Sequence, residues 1–328
     1  MPYNKENYAR IRADFDKKKS IAEENARRRL DELHAKYPDL CQIDAALAET
    51  GMRVFRETLA GKEKLDERLA AIRQENRELQ EARSHWFAYH GYPADYTDVH
   101  YECPICKDTG TVGTHLCVCM KKALIYAGYG SSGIGGLIKT QSFETFDTSY
   151  YASDPKAYQN ITRTLAYCRD YAAHFEASDR NNLLLRGDTG LGKTHLSTAI
   201  AKVVIERGFD VVYDTAQNIF GDFEYERFGR GYNGGENDRT RRYFDCDLLI
   251  FDDLGTEVAN QFTVACLYNV INTRLNNNRA MIINTNLSWE ELRRRYADRI
   301  TSRMFGEFML FELFGRDIRQ QKLKDSKR

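Results

Sequence analysis

No run of 18 apolar residues occurs anywhere in the 328-residue chain, so nothing in it reads as a membrane-spanning helix. The opening residues, MPYNKENYARIR, carry charge with no apolar stretch behind it, which argues against a secretory signal. Together these absences make the cytoplasm the expected compartment and a membrane an unexpected partner. An excess of charge is missing too. Lys+Arg and Asp+Glu both number 48, giving a formal net charge of +0. Such a chain is not drawn to nucleic acid as a whole, and any such contact has to come from local patches. Long internal repeats are absent. Eight cysteines are present, but they are not spread like a disulfide scaffold: Cys41, Cys168, Cys246 and Cys266 are scattered, and the other four crowd between 103 and 119. Clustered cysteines in a reducing compartment read as metal ligands. A hydrophobic content of 42% supports a real core, and 29% charged residues make a soluble surface.

The chain divides by texture. Residues 1–95 are charged, poor in Gly and Pro, and helical in period. Leu65, Leu69, Ile72, Leu79 and Trp86 step by fours and threes if Asn76 and Arg83 fill the polar seam positions. This is either a short coiled-coil stripe or the buried face of a small helical bundle. Gly51 is expected to separate two helices. Residues 96–127 hold the cysteine cluster, and the glycine-rich 128–142 reads as a linker. From 143 to 328, short apolar runs (NNLLL, VVY, DLLIF, AMIIN) alternate with helical segments near 193–207, 260–277 and 288–297. That alternation predicts an α/β domain with a parallel sheet covered by helices. Ser288 and Glu291 predict a capping box at the start of the last of these helices.

The strongest signal is Gly187-Asp188-Thr189-Gly190-Leu191-Gly192-Lys193-Thr194, with His195 next, between the run NNLLL and a helical segment. It fits G-x-x-x-x-G-K-[ST], the Walker A pattern. Glycines let the backbone point its N–H groups inward as an anion nest, and a helix N-terminus adds positive partial charge. Lys193 would reach the β- and γ-phosphates of ATP, and the Thr194 hydroxyl would ligate Mg²⁺. Leu248-Leu-Ile-Phe-Asp252-Asp253 has the form of a Walker B strand. Asp252 would hold Mg²⁺ opposite Thr194, and Asp253 would polarise the attacking water. Glutamate is the common residue at that second position. Aspartate is one methylene shorter, which predicts slow intrinsic hydrolysis. The strand AMIINTN places Asn286 or Asn284, two residues apart on one face, where either could orient that water. Arg299, Arg303 and Arg319 could stabilise charge on a transferring phosphoryl group.

Cys103-Pro-Ile-Cys106 followed by Cys117-Val-Cys119 has the spacing of a closed Zn²⁺ site, whose role would be structural. His115 or His100 could replace Cys119, and an Fe–S cluster would accept the same thiolates. Between the two Walker motifs, Phe220, Phe223, Tyr225, Phe228 and Tyr232 interleave with Arg227, Arg230, Arg239, Arg241 and Arg242. Stacking rings among arginines suit single-stranded nucleic acid, although Asp222, Glu224, Glu226, Glu236 and Asp238 dilute the charge, and the rings could equally be core.

The strings DLLIFDDLGTE, TNLSWEELRRRYADRITSRM, GRDIR and TQSFETFDTSYY resemble the DnaC/DnaI group of helicase loaders, with the transposition ATPase IstB as a cousin. The resemblance spans about residues 140–322. It implies an AAA+ core with the P-loop strand central, Asn286 as sensor 1, Arg303 as an arginine finger acting in trans and Arg319 at sensor 2. It also implies self-association through the ATP interface, a hexameric DnaB-type replicative helicase as partner bound through the helical N-terminus, and single-stranded DNA as substrate. Zinc-bearing modules in the DnaI-like branch favour the loader over an IstB-like transposition helper.

Overall fold

The computed structural model describes residues 3–59, 65–177, 182–228 and 239–325. Two compact units divide the chain: Arg12–Cys119, and Met120 onward together with the residues up to Ile11.

The first unit is built from α1 (Lys5–Lys36) beyond Ile11, α2 (Pro38–Leu59) and α3 (Leu65–Tyr89). Pro38 suits the first turn of α2, where its missing N–H is no loss. The apolar stripe of α3 packs on α2 within the same chain, so the bundle reading holds: Ile72 and Trp86 are buried, and the Leu65 side chain lies outside the described residues. The polar seam positions also face α2. Asn76 Nδ2 donates to Thr50 Oγ1 at 2.6 Å, and Arg83 Nε donates to Asp44 Oδ1 at 2.6 Å. Gly51 does not punctuate two helices: it sits inside α2, which runs through it, although an interior glycine costs a helix about 1 kcal/mol relative to alanine. A small antiparallel hairpin follows, β1 (Thr111–Val112) with β2 (His115–Leu116).

Next come α4 (Val118–Ser131), α5 (Leu137–Thr140), a 3-10 turn (Thr148–Tyr151) and α6 (Pro155–Ala173). Strands and helices then alternate: β3 (Asn182–Arg186), α7 (Lys193–Glu206), β4 (Val211–Thr215), α8 (Ala216–Phe228), α9 (Arg241–Asp245), β5 (Leu248–Leu254) and α10 (Gln261–Asn276). The chain closes with β6 (Ala280–Thr285), α11 (Trp289–Arg295), α12 (Ala297–Glu307), β7 (Phe308–Glu312) and α13 (Ile318–Asp325). The capping box forms: Glu291 N–H donates to Ser288 Oγ, and Ser288 N–H donates back to Glu291 Oε2.

One parallel sheet runs β4-β5-β6-β3-β7. Its inner strands are apolar on both faces because helices cover both. Leu183, Leu185, Ile250 and Ile282 share a core with Ile161 of α6 and Leu196 and Ile200 of α7. Leu184, Leu249, Phe251 and Ile283 face the other way, toward Phe220, Leu267, Val270 and Met304. The AAA+ type of α/β architecture is therefore present, with β3 inside the sheet. Strand β7 escaped the sequence reading. It is an edge strand with Met309 and Leu310 exposed, and it reads as a continuation of the preceding helix.

The glycine-rich 128–142 is not a free linker. α4 runs through Gly128 and Gly130, and Ile134 is buried in the sheet's core. Gly133 has φ +82°, and a Cβ there would meet the Tyr213 carbonyl oxygen at 2.3 Å. Glycine is required by that close approach rather than for looseness. Tyr213 N–H donates to Ser132 O at 2.7 Å, so this segment pairs with the otherwise open edge of β4.

Candidate nucleotide and metal sites

A parallel sheet offers its ligand crevice beyond the carboxyl ends of its strands. β3 ends at Arg186, and residues Gly187–Gly192 turn directly into α7, which opens at Lys193. The turn is held from outside. Tyr151 Oη donates to Leu191 O at 2.7 Å, and Ile318 N–H donates to Gly190 O at 3.1 Å. Gly190 has φ +83°, which a side chain would strain, and a Cβ there would meet the Asp317 carboxylate at 2.0 Å, so that carboxylate would have to move. Asp188 and Thr189 are exposed at its tip. Lys193 is buried, and its Nζ donates to the carbonyls of Gly187 and Asp188 at 2.6 and 2.8 Å. Burial pulls its pKa down, while Asp253, Asp252 and Asp188 oppose the shift.

Thr189–His195, Asp253, Thr256, Asn286 and Arg319 line one cleft of about 380 Å³, a size suited to a small ligand. Phe146, Tyr150, Ile318 and Lys322 line it too, and the sequence reading had assigned them no role. Aromatic faces and two cations beside an amide-lined loop suit a base and a polyphosphate. His195 Nε2 lies 2.8 Å from Ser142 O, and burial lowers its pKa, which favours the neutral ring.

Asp252 sits under this cleft, 3% exposed. It accepts from Thr194 Oγ1 at 3.1 and 3.3 Å and from Asn284 Nδ2 at 2.6 Å, and it accepts a short bond from the Tyr213 hydroxyl. Asn284 Nδ2 also reaches Ser197 Oγ at 2.8 Å. Thr194 and Asp252 thus meet where the chemistry of a hard divalent cation needs oxygen donors. The neighbouring Asp253 takes φ +53° and turns toward the cleft. Burial and then Asp252 raise its carboxyl pKa, against the pull of Lys193 and Arg319.

The two asparagines separate. Asn284 is buried within β6 on the Asp252 carboxylate, whereas Asn286 lies past the strand, exposed, on the cleft wall. Alternation placed them on one face, but the strand ends at Thr285, and the alternation ends with it. Arg303 is not among the residues lining this cleft. Its guanidinium lies over the Tyr268 ring at 4.9 Å and donates to the Tyr268 hydroxyl at 3.2 Å. Arg299 stacks on the same ring at 5.7 Å. Tyr213, which closes the run VVY, and Ser197, inside the helix after the P-loop, carried no sequence signal of a role in the site.

In the other unit, the Sγ atoms of Cys103, Cys106, Cys117 and Cys119 all lie within 4.8 Å of one another. Zn–S bonds of about 2.3 Å arranged tetrahedrally put sulfurs roughly 3.8 Å apart, and the Cys103–Cys117 and Cys106–Cys119 separations of 3.8 and 3.5 Å fit that spacing. Asp108 shapes the turn by accepting from the N–H groups of Glu102 and Cys103, both at 2.8 Å. Neither His100 nor His115 joins the group, and both are exposed.

The segment 220–244 splits between its two readings. Phe220 is core and Phe223 packs against it. Arg242 is ion-paired with Asp214 and Asp222, and Arg241 with Asp245. Tyr225 remains exposed with the Arg239 guanidinium 4.1 Å over its ring, and Arg227 lies over Phe262 at 5.2 Å. Arg230, Tyr232, Glu236 and Asp238, and the side chain of Phe228, lie outside the described residues. No helix among the described residues is long and apolar enough to cross a membrane.

Residues 135–308 match the family described as IstB-like ATP binding protein. Over 221 residues the chain is 27% identical to the phage-like element PBSX protein XkdC of Bacillus subtilis, covering 61% of this chain and 77% of that protein. It is 22% identical over 175 residues to the replicative helicase loader DnaC of Buchnera aphidicola, covering 53% and 67%. A crystal structure of the DnaC helicase loader superposes on 55% of this chain and all of its own length, with a TM-score of 0.47 and 20% identity.

Proposed function

Because the chain belongs to the IstB-like ATP-binding protein family, we propose that it is an ATP-driven loader that places a DnaB-type replicative helicase on single-stranded DNA. The observation that carries the ATP site is the meeting of Thr194 and Asp252 at the mouth of the Gly187–Gly192 turn, with Lys193, Asp253, Asn286 and Arg319 around it. Its sequence similarity to a replicative helicase loader supports the choice of partner.

In this reading the amides of Gly190–Thr194 and the Lys193 ammonium bind the phosphates, and Arg319 adds charge from α13. Bound Mg²⁺, held by Thr194 and Asp252, supplies charge neutralisation to the phosphates. Asp253 accepts a proton from water that Asn286 orients, and its short side chain keeps hydrolysis slow until a partner aligns the site. Arg303, outside its own cleft, serves that of a neighbouring copy, so self-association completes the site. Cys103, Cys106, Cys117 and Cys119 bind a structural Zn²⁺ within the module 96–127, the helices of 1–95 contact the helicase, and 143–328 is the ATPase domain. Tyr225 and Arg239 are the DNA-facing pair.

The likeness to IstB carries one second reading, a transposition helper. A pull-down from host extract with and without ATP separates the two. The loader retains the replicative helicase in an ATP-dependent manner, and Lys193→Ala lowers that retention at least about tenfold because nucleotide affinity falls. Retention of a transposase in place of the helicase would establish the second reading, and retention of neither, with or without ATP, would sink both.

A further inference from the structure

Asp252 is a carboxylate with almost no access to water, and a buried charge is tolerated only when donors surround it. Its three donors come from three different elements: Thr194 from α7, Asn284 from β6 and Tyr213 from β4. The strand order β4-β5-β6 sets Tyr213 and Asn284 on opposite flanks of the carboxylate. On the β6 side, Phe251 pairs with Ile283, so Asn284 stands beside Asp252 and a short amide suffices. On the β4 side, Asp252 pairs with Thr215, and Tyr213 lies two residues back on the same face. Only a long side chain reaches forward along the strand from there, and the tyrosine does so with its terminal hydroxyl. The backbone of Tyr213 is itself fixed, through its N–H to Ser132 O and through the contact that excludes a side chain at Gly133.

We propose that Tyr213 is a positioning residue of the nucleotide site: its hydroxyl clamps Asp252 from the β4 flank so that Asp252 and Thr194 present their oxygens together to the Mg²⁺ of bound MgATP. The proposal rests on the ATP reading above. It gives the phenol a role that core packing does not need, since phenylalanine would fill the same space. Mg²⁺ demands near-ideal octahedral geometry, while Ca²⁺ accepts looser arrangements, so a freed carboxylate penalises Mg²⁺ more. Groups that orient a metal's ligands are worth about 10–100-fold in metal affinity.

The test uses the full chain and a fluorescent ATP analogue, titrated with MgCl₂ or CaCl₂. Tyr213→Phe is expected to raise the Mg²⁺ concentration for half-maximal nucleotide binding about tenfold. The Ca²⁺ requirement changes less, and affinity without added divalent cation stays within about twofold of wild type. Replacing Tyr213 with p-aminophenylalanine, which restores a donor at the ring tip, brings the Mg²⁺ requirement back. An unchanged Mg²⁺ requirement in Tyr213→Phe overturns the proposal, as does an equal loss with Mg²⁺, with Ca²⁺ and without either, which would mark a packing defect. If the wild-type chain itself binds no nucleotide, the ATP reading falls and takes the role of Tyr213 with it.

Discussion

Adjacent aspartates at 252 and 253 have opposite surroundings, and the proposed division of their roles rests on this difference. Asp252 is enclosed by donors, whereas Asp253 faces the cleft in a left-handed backbone conformation that its side chain tolerates better than most. Asp253→Asn keeps the size of the side chain but removes the carboxylate proposed to act as base. ATP binding should persist while phosphate release falls about 10²-fold or more, which parallel binding and turnover measurements would show. Equal loss of both would mean that Asp253 holds the nucleotide rather than activating water. Lys193 and Thr194 could be picked out from spacing alone because a phosphate cradle needs these residue types at these intervals. Tyr213 could not, since a tyrosine closing an apolar run looks the same whether it packs or clamps.

Among the elements, α10 is held at its end by one residue the sequence did not single out. Arg274 is fully buried and donates to the carbonyls of Tyr243, Cys246 and Ala280 at 2.8, 3.1 and 2.7 Å. It gathers the ends of α9, β5 and β6. Arg274→Leu leaves several buried carbonyls without donors and should cost at least about 2 kcal/mol in urea unfolding. The start of β4 carries a pH-dependent weakness. Burial, opposed by the Asn4 amide at 3.0 Å, holds the Asp210 carboxyl above its ordinary pKa. For a carboxyl raised in the folded state, its contribution is fully present below the unfolded value, roughly 3.9, and is lost as pH rises through the folded value. Asp210→Asn should therefore stabilise the protein at pH 7 and make no difference near pH 3. Thermal melts at the two pH values check this, and a gain of equal size at both would refute the ionisation argument. Helix α7 was legible from its apolar period and its P-loop entry. β7 was not, because its apolar run FMLFELF shows no period of two and, directly after α12, fits a helix as well as a strand.

For the molecule as a whole, the cysteine cluster makes a separable prediction. It lies in a different compact unit from the nucleotide cleft. Elemental analysis should find one zinc per chain, and Cys106→Ser should lose it, since a closed four-thiolate site tolerates no missing ligand. Nucleotide affinity of the zinc-free protein should stay within about threefold of wild type. An iron signal with visible absorbance would assign the thiolates to a cluster instead.

The sequence alone picked out the residues that gather at the two candidate sites and determined the class of the fold. Phosphate binding and thiolate ligation both depend on residues close together in the chain, and a sheet buried on both faces requires apolar runs that stand out. Only the tertiary structure decided that Ser132 and Gly133 of the glycine-rich stretch meet Tyr213 of β4, that Phe220 is core, and that Asn284 holds the Walker B carboxylate while Asn286 faces the cleft. Those outcomes turn on where strands end and which strands become neighbours, which is settled by contacts between residues far apart in the chain.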